Sequence, residues 1–161
     1  MKVKALLPVV LSSVLVGCAG GTAVDTNVNP VGTGPLADCN LPSLDESGPI
    51  RPPMYVTGTF SDSNWMHDEH RRMSYKGDGI YQIVMDTEEG PVSFQFASMG
   101  WKPQFSAVGG NMTVGADTRL GRGGFMKDTR VIIPTEGRYA WSFQVDENRE
   151  PIRAMISQCA E

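Results

Sequence analysis

Thiols and imidazoles are scarce in this chain, which holds three cysteines (Cys18, Cys39 and Cys159) and two histidines (His67 and His70). No CxxC pair and no Cys/His spacing of the zinc type occurs, so a structural metal centre has no basis in the sequence. The Gly-rich phosphate-binding patterns GxxxxGK and GxGxxG are absent, as is any serine in a nucleophile-elbow context. Positive charge is in deficit, with 14 Lys and Arg against 18 Asp and Glu. That removes the basic footprint on which nucleic-acid binding rests. Beyond the first residues no run is apolar enough to span a bilayer, which takes about 20 residues. No stretch carries sustained helical periodicity. These absences leave no expected cofactor, no metal ligand set and no nucleic-acid partner.

What is present begins with Met1-Lys2-Val3-Lys4, followed by a run from Ala5 to Val16 that is apolar apart from Pro8, Ser12 and Ser13. Charge followed by a short apolar run is the layout of a secretory signal. The run ends in Leu15-Val16-Gly17-Cys18, which resembles the bacterial lipobox. The resemblance implies cleavage after residue 17 and a lipid on Cys18, a membrane attachment without a spanning helix. Ala19 rather than aspartate follows the cysteine, which by the same resemblance points to the outer membrane. Loss of residues 1–17 removes Lys2 and Lys4 and no acid, taking the formal charge from −4 to −6. Cys39 and Cys159 are then an even pair in an oxidising compartment, near the two ends of the folded part. A bridge between them is expected, with free thiols or a partner chain as the alternative.

From Ala19 to about Pro35 the chain is Gly, Thr, Asn, Val and Pro with almost no charge. Such a composition buries too little to repay its ordering entropy. Residues 18–53, still turn-rich towards Pro53, are therefore expected as lipidated cysteine and tether, and residues 54–161 as one domain. The domain reads as short period-2 segments: Met54–Phe60, Ile80–Asp86 after the hairpin signal Lys76-Gly77-Asp78-Gly79, Val92–Ser98, Thr129–Ile133, Arg138–Asp146 and Ile152–Ser157. Tyr139, Trp141, Phe143 and Val145 share one face, as do Ile152, Ala154 and Ile156. Segments of this length and spacing predict an all-β, antiparallel β-sandwich of immunoglobulin-domain size.

Chemistry-bearing residues are few. His67 and His70 flank Asp68 and Glu69, but they stand three apart in a loop, whereas zincins place them four apart on a helix. Mixed charge there reads as a solvated loop. No pair of carboxylates is placed for acid–base work, and a glycosidase needs two facing carboxyls in a cleft. The chain is therefore expected not to be an enzyme. Trp141 falls on a core face. Trp65 and Trp101 lie in or beside loops, either folded back as lids or left exposed for binding.

Met54-Tyr55-Val56-Thr57-Gly58-Thr59-Phe60 with Asn64-Trp65 resembles the opening strand and G-x-F-x-x-W of the starch- and glycogen-binding early-set modules. These are the N-terminal domains of pullulanases and branching enzymes and the glycogen-binding domain of the AMP-activated kinase β subunit. Met73 with Lys76-Gly77-Asp78-Gly79-Ile80-Tyr81 is similar to the family's M…GDGIY hairpin. Val92–Ala97 is similar to its Y-K-F strand, and Gly137–Phe143 to its G-x-Y-x-F strand. The resemblance, from about Met54 to Asp146, implies an immunoglobulin-like sandwich with a shallow α-glucan site. It implies that Trp65 and Trp101 stack on glucose rings and that a polar residue on the Y-K-F strand, here Gln95 where the family has lysine, bonds hydroxyls. The Gly123-Gly124-Phe125-Met126 stretch lacks the family's asparagine. The expected function is a non-catalytic envelope lipoprotein that binds α-glucan. The alternative is an envelope scaffold using the same sandwich for a protein partner.

Overall fold

The computed structural model describes residues 31–160. The expected signal peptide at 1–17, the lipidation site Cys18 and the first part of the expected tether lie outside them. Among the described residues ten strands form in chain order. They are β1 (Met54–Phe60), β2 (Ser63–Asn64), β3 (Ser74–Gly77), β4 (Ile80–Thr87), β5 (Gly90–Ser98), β6 (Gln104–Ala107), β7 (Thr118–Arg122), β8 (Thr129–Ile133), β9 (Gly137–Val145) and β10 (Pro151–Gln158). One sheet runs β2-β1-β5, and the far edge of β5 is shared by β8 along Gly90–Phe94 and by β6 at Phe96 and Ala97. The other runs β3-β4-β9-β10. Strand β7 joins the two: Leu120–Arg122 pair with β6, while Thr118 and Arg119 pair with β10. All these pairings are antiparallel. The fold is an immunoglobulin-like antiparallel β-sandwich.

The β3–β4 hairpin shows how sequence sets this topology. Gly77, Asp78 and Gly79 all take positive φ, a conformation open to glycine and to small polar residues. A Cβ on Gly79 would also collide with the Val145 carbonyl, so glycine is needed there twice over. Between the sheets, the predicted face of β9 delivers Tyr139, Trp141, Phe143 and Val145, all buried. Phe94 meets Trp141 edge-on at 4.9 Å, and Tyr81 stacks on Phe143 at 5.0 Å. Burial of each such ring contributes about 1.5–3 kcal/mol. The Tyr139 hydroxyl donates to the Thr135 carbonyl at 2.7 Å, a corner bond that fixes the turn into β9.

Two expectations change. The described part of the expected tether, residues 31–53, packs against the sandwich instead of hanging free. Pro35–Ala37 forms a 3-10 turn and Leu36 is buried against Ile80 and Met155. The outward face of the β4-β9-β10 sheet is polar where this strap crosses it, and its side chains bind the strap's backbone. Ser142 Oγ donates to the Leu36 carbonyl, Gln82 Nε2 to the Asp38 carbonyl, and Ser157 Oγ accepts from the Gly32 amide. The Tyr81 hydroxyl takes the Ile50 amide at 2.9 Å. A Cys39–Cys159 disulfide, with Cα atoms 5.8 Å apart, then rivets the strap to the end of β10. The second change concerns Ile152, which is 43% exposed while Ala154 and Ile156 are buried. A register shift between Pro151 and Arg153 breaks the alternation there.

Candidate functional site

Three loops meet beside Gln95, over the outward face of the first sheet, and each turns on a residue in the left-handed region. In the loop after β2 it is Trp65, with φ 58, whose amide donates to the Gly58 carbonyl at 2.7 Å. Both flanks of this loop are held by Arg71, in the 3-10 turn Glu69–Arg71. Its guanidinium lies 4.1 Å from the centre of the Phe60 ring and pairs with Asp62 before Trp65 and with Asp68 after it. Asp68 caps that turn by accepting from the His70 amide at 2.8 Å. This bond, joined by one from the His70 ring, holds its carboxyl below the usual aspartate range.

The second loop, between β5 and β6, turns on Trp101, with φ 60. Buried Ser98 organises it: its carbonyl accepts from the Trp101 amide, its hydroxyl from the Lys102 amide, and its own amide donates to the Pro103 carbonyl. The third loop, between β7 and β8, runs through Gly124-Phe125-Met126-Lys127, closed by the Lys127 amide on the Gly124 carbonyl. Met126, with φ 60, occupies a position that favours glycine or asparagine.

Side chains tie the loops together. His67 lies between Tyr55 and Trp101, edge-on to both, with centroids 5.3 and 4.8 Å away, and so joins the first loop to the second. Tyr55 in turn donates to Glu69 at 2.7 Å. Gln95, on β5 beneath the rim, spends its amide group on the third loop: Nε2 donates to the Gly124 carbonyl and to Asp128 Oδ1, each at 3.0 Å. Its Oε1 is buried without a protein partner. A side chain on Gly123 would run into that oxygen, which accounts for glycine there.

Between the loops lies an open cleft of about 540 Å³, walled by Trp65, Trp101, Phe125 and Met126 and floored by Gln95, Gln104 and Asp128. Phe125 is 93% exposed and Met126 82%, while both tryptophans are half-buried. Large exposed apolar side chains grouped in this way mark a binding surface. The structure thus brings the sequence-expected Trp65, Trp101 and Gln95 to one cleft. It gives Gln95 a supporting position, however, with its donors turned to the loop. Sequence reasoning missed Phe125, Met126, Gln104 and Asp128. The available signal was an aromatic and a methionine flanked by two glycines and Lys127-Asp128, too exposed a setting for core residues. His67 and His70 do not assemble a metal site, and no group of three or more potential ligands occurs among the described residues. Of the remaining expected site residues, Cys39 of the strap is joined to Cys159 after β10, and Cys18 lies outside the described residues.

No protein-family model matches the chain, and no curated protein does. A solved structure does: the ligand-induced structure of AmyP-SBD, a starch-binding domain, is 35% identical to it with a TM-score of 0.62. The match covers 94% of this chain and 97% of that one.

Proposed function

This chain belongs to the starch-binding domain family of AmyP-SBD, a family of carbohydrate-binding β-sandwiches, and from that premise we propose that it binds α-glucan without cleaving it. The observation that carries the reading is the cleft, where three aromatic rings from three separate loops line one opening, Phe125 exposed and both tryptophans half-exposed. Aromatic faces suit the apolar faces of glucose, and each such ring contributes about 0.5–1.5 kcal/mol beyond area burial. In this reading Trp65, Trp101 and Phe125 stack on successive sugar rings. Asp128 and Gln104 on the floor bond hydroxyls, and Gln95 acts through the Gly124–Asp128 loop. Three rings and a few hydrogen bonds suggest a Kd near a millimolar, about −4 kcal/mol.

We further propose, from Lys2, Lys4, the apolar run and Cys18, that the domain is displayed from the outer membrane by lipid on Cys18. Many weak sites anchored side by side then hold one long polymer by avidity. Replacing Cys18 with serine should release the protein into the soluble fraction of the cell envelope.

Affinity electrophoresis tests the binding claim. Glycogen or amylopectin in the gel should retard the protein more than cellulose does. Trp65→Ala, Trp101→Ala and Phe125→Ala should each remove most of the retardation while the domain stays folded. No retardation by any α-glucan at high polymer concentration would refute the claim and favour an envelope scaffold for a protein partner.

A further inference from the structure

Beside the ring-walled cleft lies a second depression of about 570 Å³, and the two share Trp101 and Gln104 as a common wall. Its chemistry differs. Four cationic side chains line it, Arg51, Lys102, Arg122 and Arg149, against one carboxylate, Glu150. Arg122 and Glu150 pair with each other. Arg51, Lys102 and Arg149 are exposed and enter none of the ion pairs among the described residues.

These three cations come from three segments whose backbones are fixed. Arg51 follows Ile50, which Tyr81 clamps. Lys102 follows Trp101 in the loop organised by Ser98. Arg149 is the left-handed residue of the β9–β10 turn, with φ 67, its amide bonded to the Asp146 carbonyl. The carboxylate of Asp146 accepts from the Asn148 and Glu150 amides, so it is committed to shaping the turn. Of the other two acids of that turn, Glu150 is paired with Arg122 and Glu147 does not line the depression. A chain with more acid than base overall has therefore gathered unpaired positive charge at the edge of its aromatic platform. The overall acidity argues against a polyanion spread over the whole surface, but not against one anionic group seated here. A neutral polysaccharide offers such a patch hydroxyl acceptors but no opposite charge. Guanidinium groups match phosphate oxygens in geometry and charge.

We propose that this depression receives a phosphate monoester carried by an α-glucan whose sugar rings lie against Trp101, so that the module prefers phosphorylated to neutral α-glucan. The proposal rests on the α-glucan reading above, and one experiment separates the two. Retardation is measured with a naturally phosphorylated amylopectin, with the same polymer after phosphatase treatment, and with a phosphorylated soluble cellulose derivative, a β-glucan. The phosphorylated amylopectin should bind on the order of fivefold more tightly than its dephosphorylated form at low ionic strength, with the advantage shrinking as salt is added. A variant combining Arg51→Gln, Lys102→Gln and Arg149→Gln should lose the preference, keep its affinity for the dephosphorylated polymer and melt where the parent does. Equal affinity of the parent for both amylopectins overturns the phosphate site and leaves the α-glucan reading standing. Retention of the preference by the triple variant overturns it too. Equal binding of the phosphorylated cellulose derivative reduces the effect to charge alone and also overturns it. Failure of every polymer to bind brings down both readings.

Discussion

The interior around Trp141 and the rim around Trp65 and Trp101 treat the same side chain in opposite ways. Trp141 is fully buried in strand β9, its indole N–H donates to Thr87 at 3.2 Å, and Phe60 and Phe94 meet it edge-on. The rim tryptophans are half-exposed, stand on left-handed backbone and make no indole hydrogen bond among the described residues. Left-handed φ in a residue with a side chain costs on the order of 1–2 kcal/mol. Among the described residues, buried side-chain polar atoms without a hydrogen-bond partner follow the same division: His67, Arg71 and Gln95, which hold the rim loops, carry four of the five. Local conflict concentrates where a ligand would sit, and the interior carries the stability that tolerates it.

Four measurements would break or sharpen that contrast. The largest effect belongs to Trp141→Ala, which should cost about 3–5 kcal/mol through cavity formation and leave the domain largely unfolded on thermal melting. A merely local loss of glucan binding at unchanged stability would put Trp141 with the rim instead. Next is Cys39→Ser with Cys159→Ser, which should lower stability by roughly 2–5 kcal/mol. Below its new melting temperature that variant should still be retarded by α-glucan, because the bridged part of the strap lies on the β4-β9-β10 sheet and not on the sheet that carries the cleft.

Gln95→Ala should cost about 1–2 kcal/mol for two buried hydrogen bonds lost, and should weaken binding although every ring is still present. Gln95→Lys, able to donate to the same Gly124 carbonyl and Asp128 carboxylate, should restore much of both. Binding unaffected by Gln95→Ala would mean that the third loop does not need its buttress.

The smallest effect is on pH dependence. Burial, with help from Glu69, raises the Tyr55 phenol above its ordinary 10.0, and burial raises Tyr81 likewise. The neutral phenols thus stabilise the fold below pH 10.0, and that contribution is lost as pH rises through the folded-state values. Melting temperature followed across that range should fall, and Tyr55→Phe should make the fall shallower. An unchanged slope would remove Tyr55 from the account.

The long strands were legible because each carries one apolar face. Met54–Phe60 and Thr129–Ile133 match the observed β1 and β8 end to end. Strands β6 and β7 were not, because QFSA and TRLGR are too short to establish a period and β7 divides its pairing between two sheets. The strap was read as tether because its packing depends on few apolar side chains, chiefly Leu36 and Ile50. Its backbone bonds come from Gln82, Ser142 and Ser157, polar residues that in sequence resemble a solvated face. Trp65 and Trp101 were legible through loop position and family likeness. Phe125 was not, because its part in the cleft depends on how β7 and β8 bring their loop against Gln95, a relation between segments far apart in the chain.

The Cys39–Cys159 bridge has a mechanical consequence. A pull applied between the chain upstream of Cys39 and its far end meets the disulfide before it meets any strand, because the residues between the cysteines form a covalently closed loop. Such a load bypasses the sandwich, and no contour length within the loop can be paid out. A pull applied at the rim instead, by a polymer held there while the N-terminal side is fixed, enters the loop and leaves it at Cys39 and Cys159 together. The strap and β10 then share the tension. A load from the rings would thus reach the N-terminal side along two strands of chain rather than one.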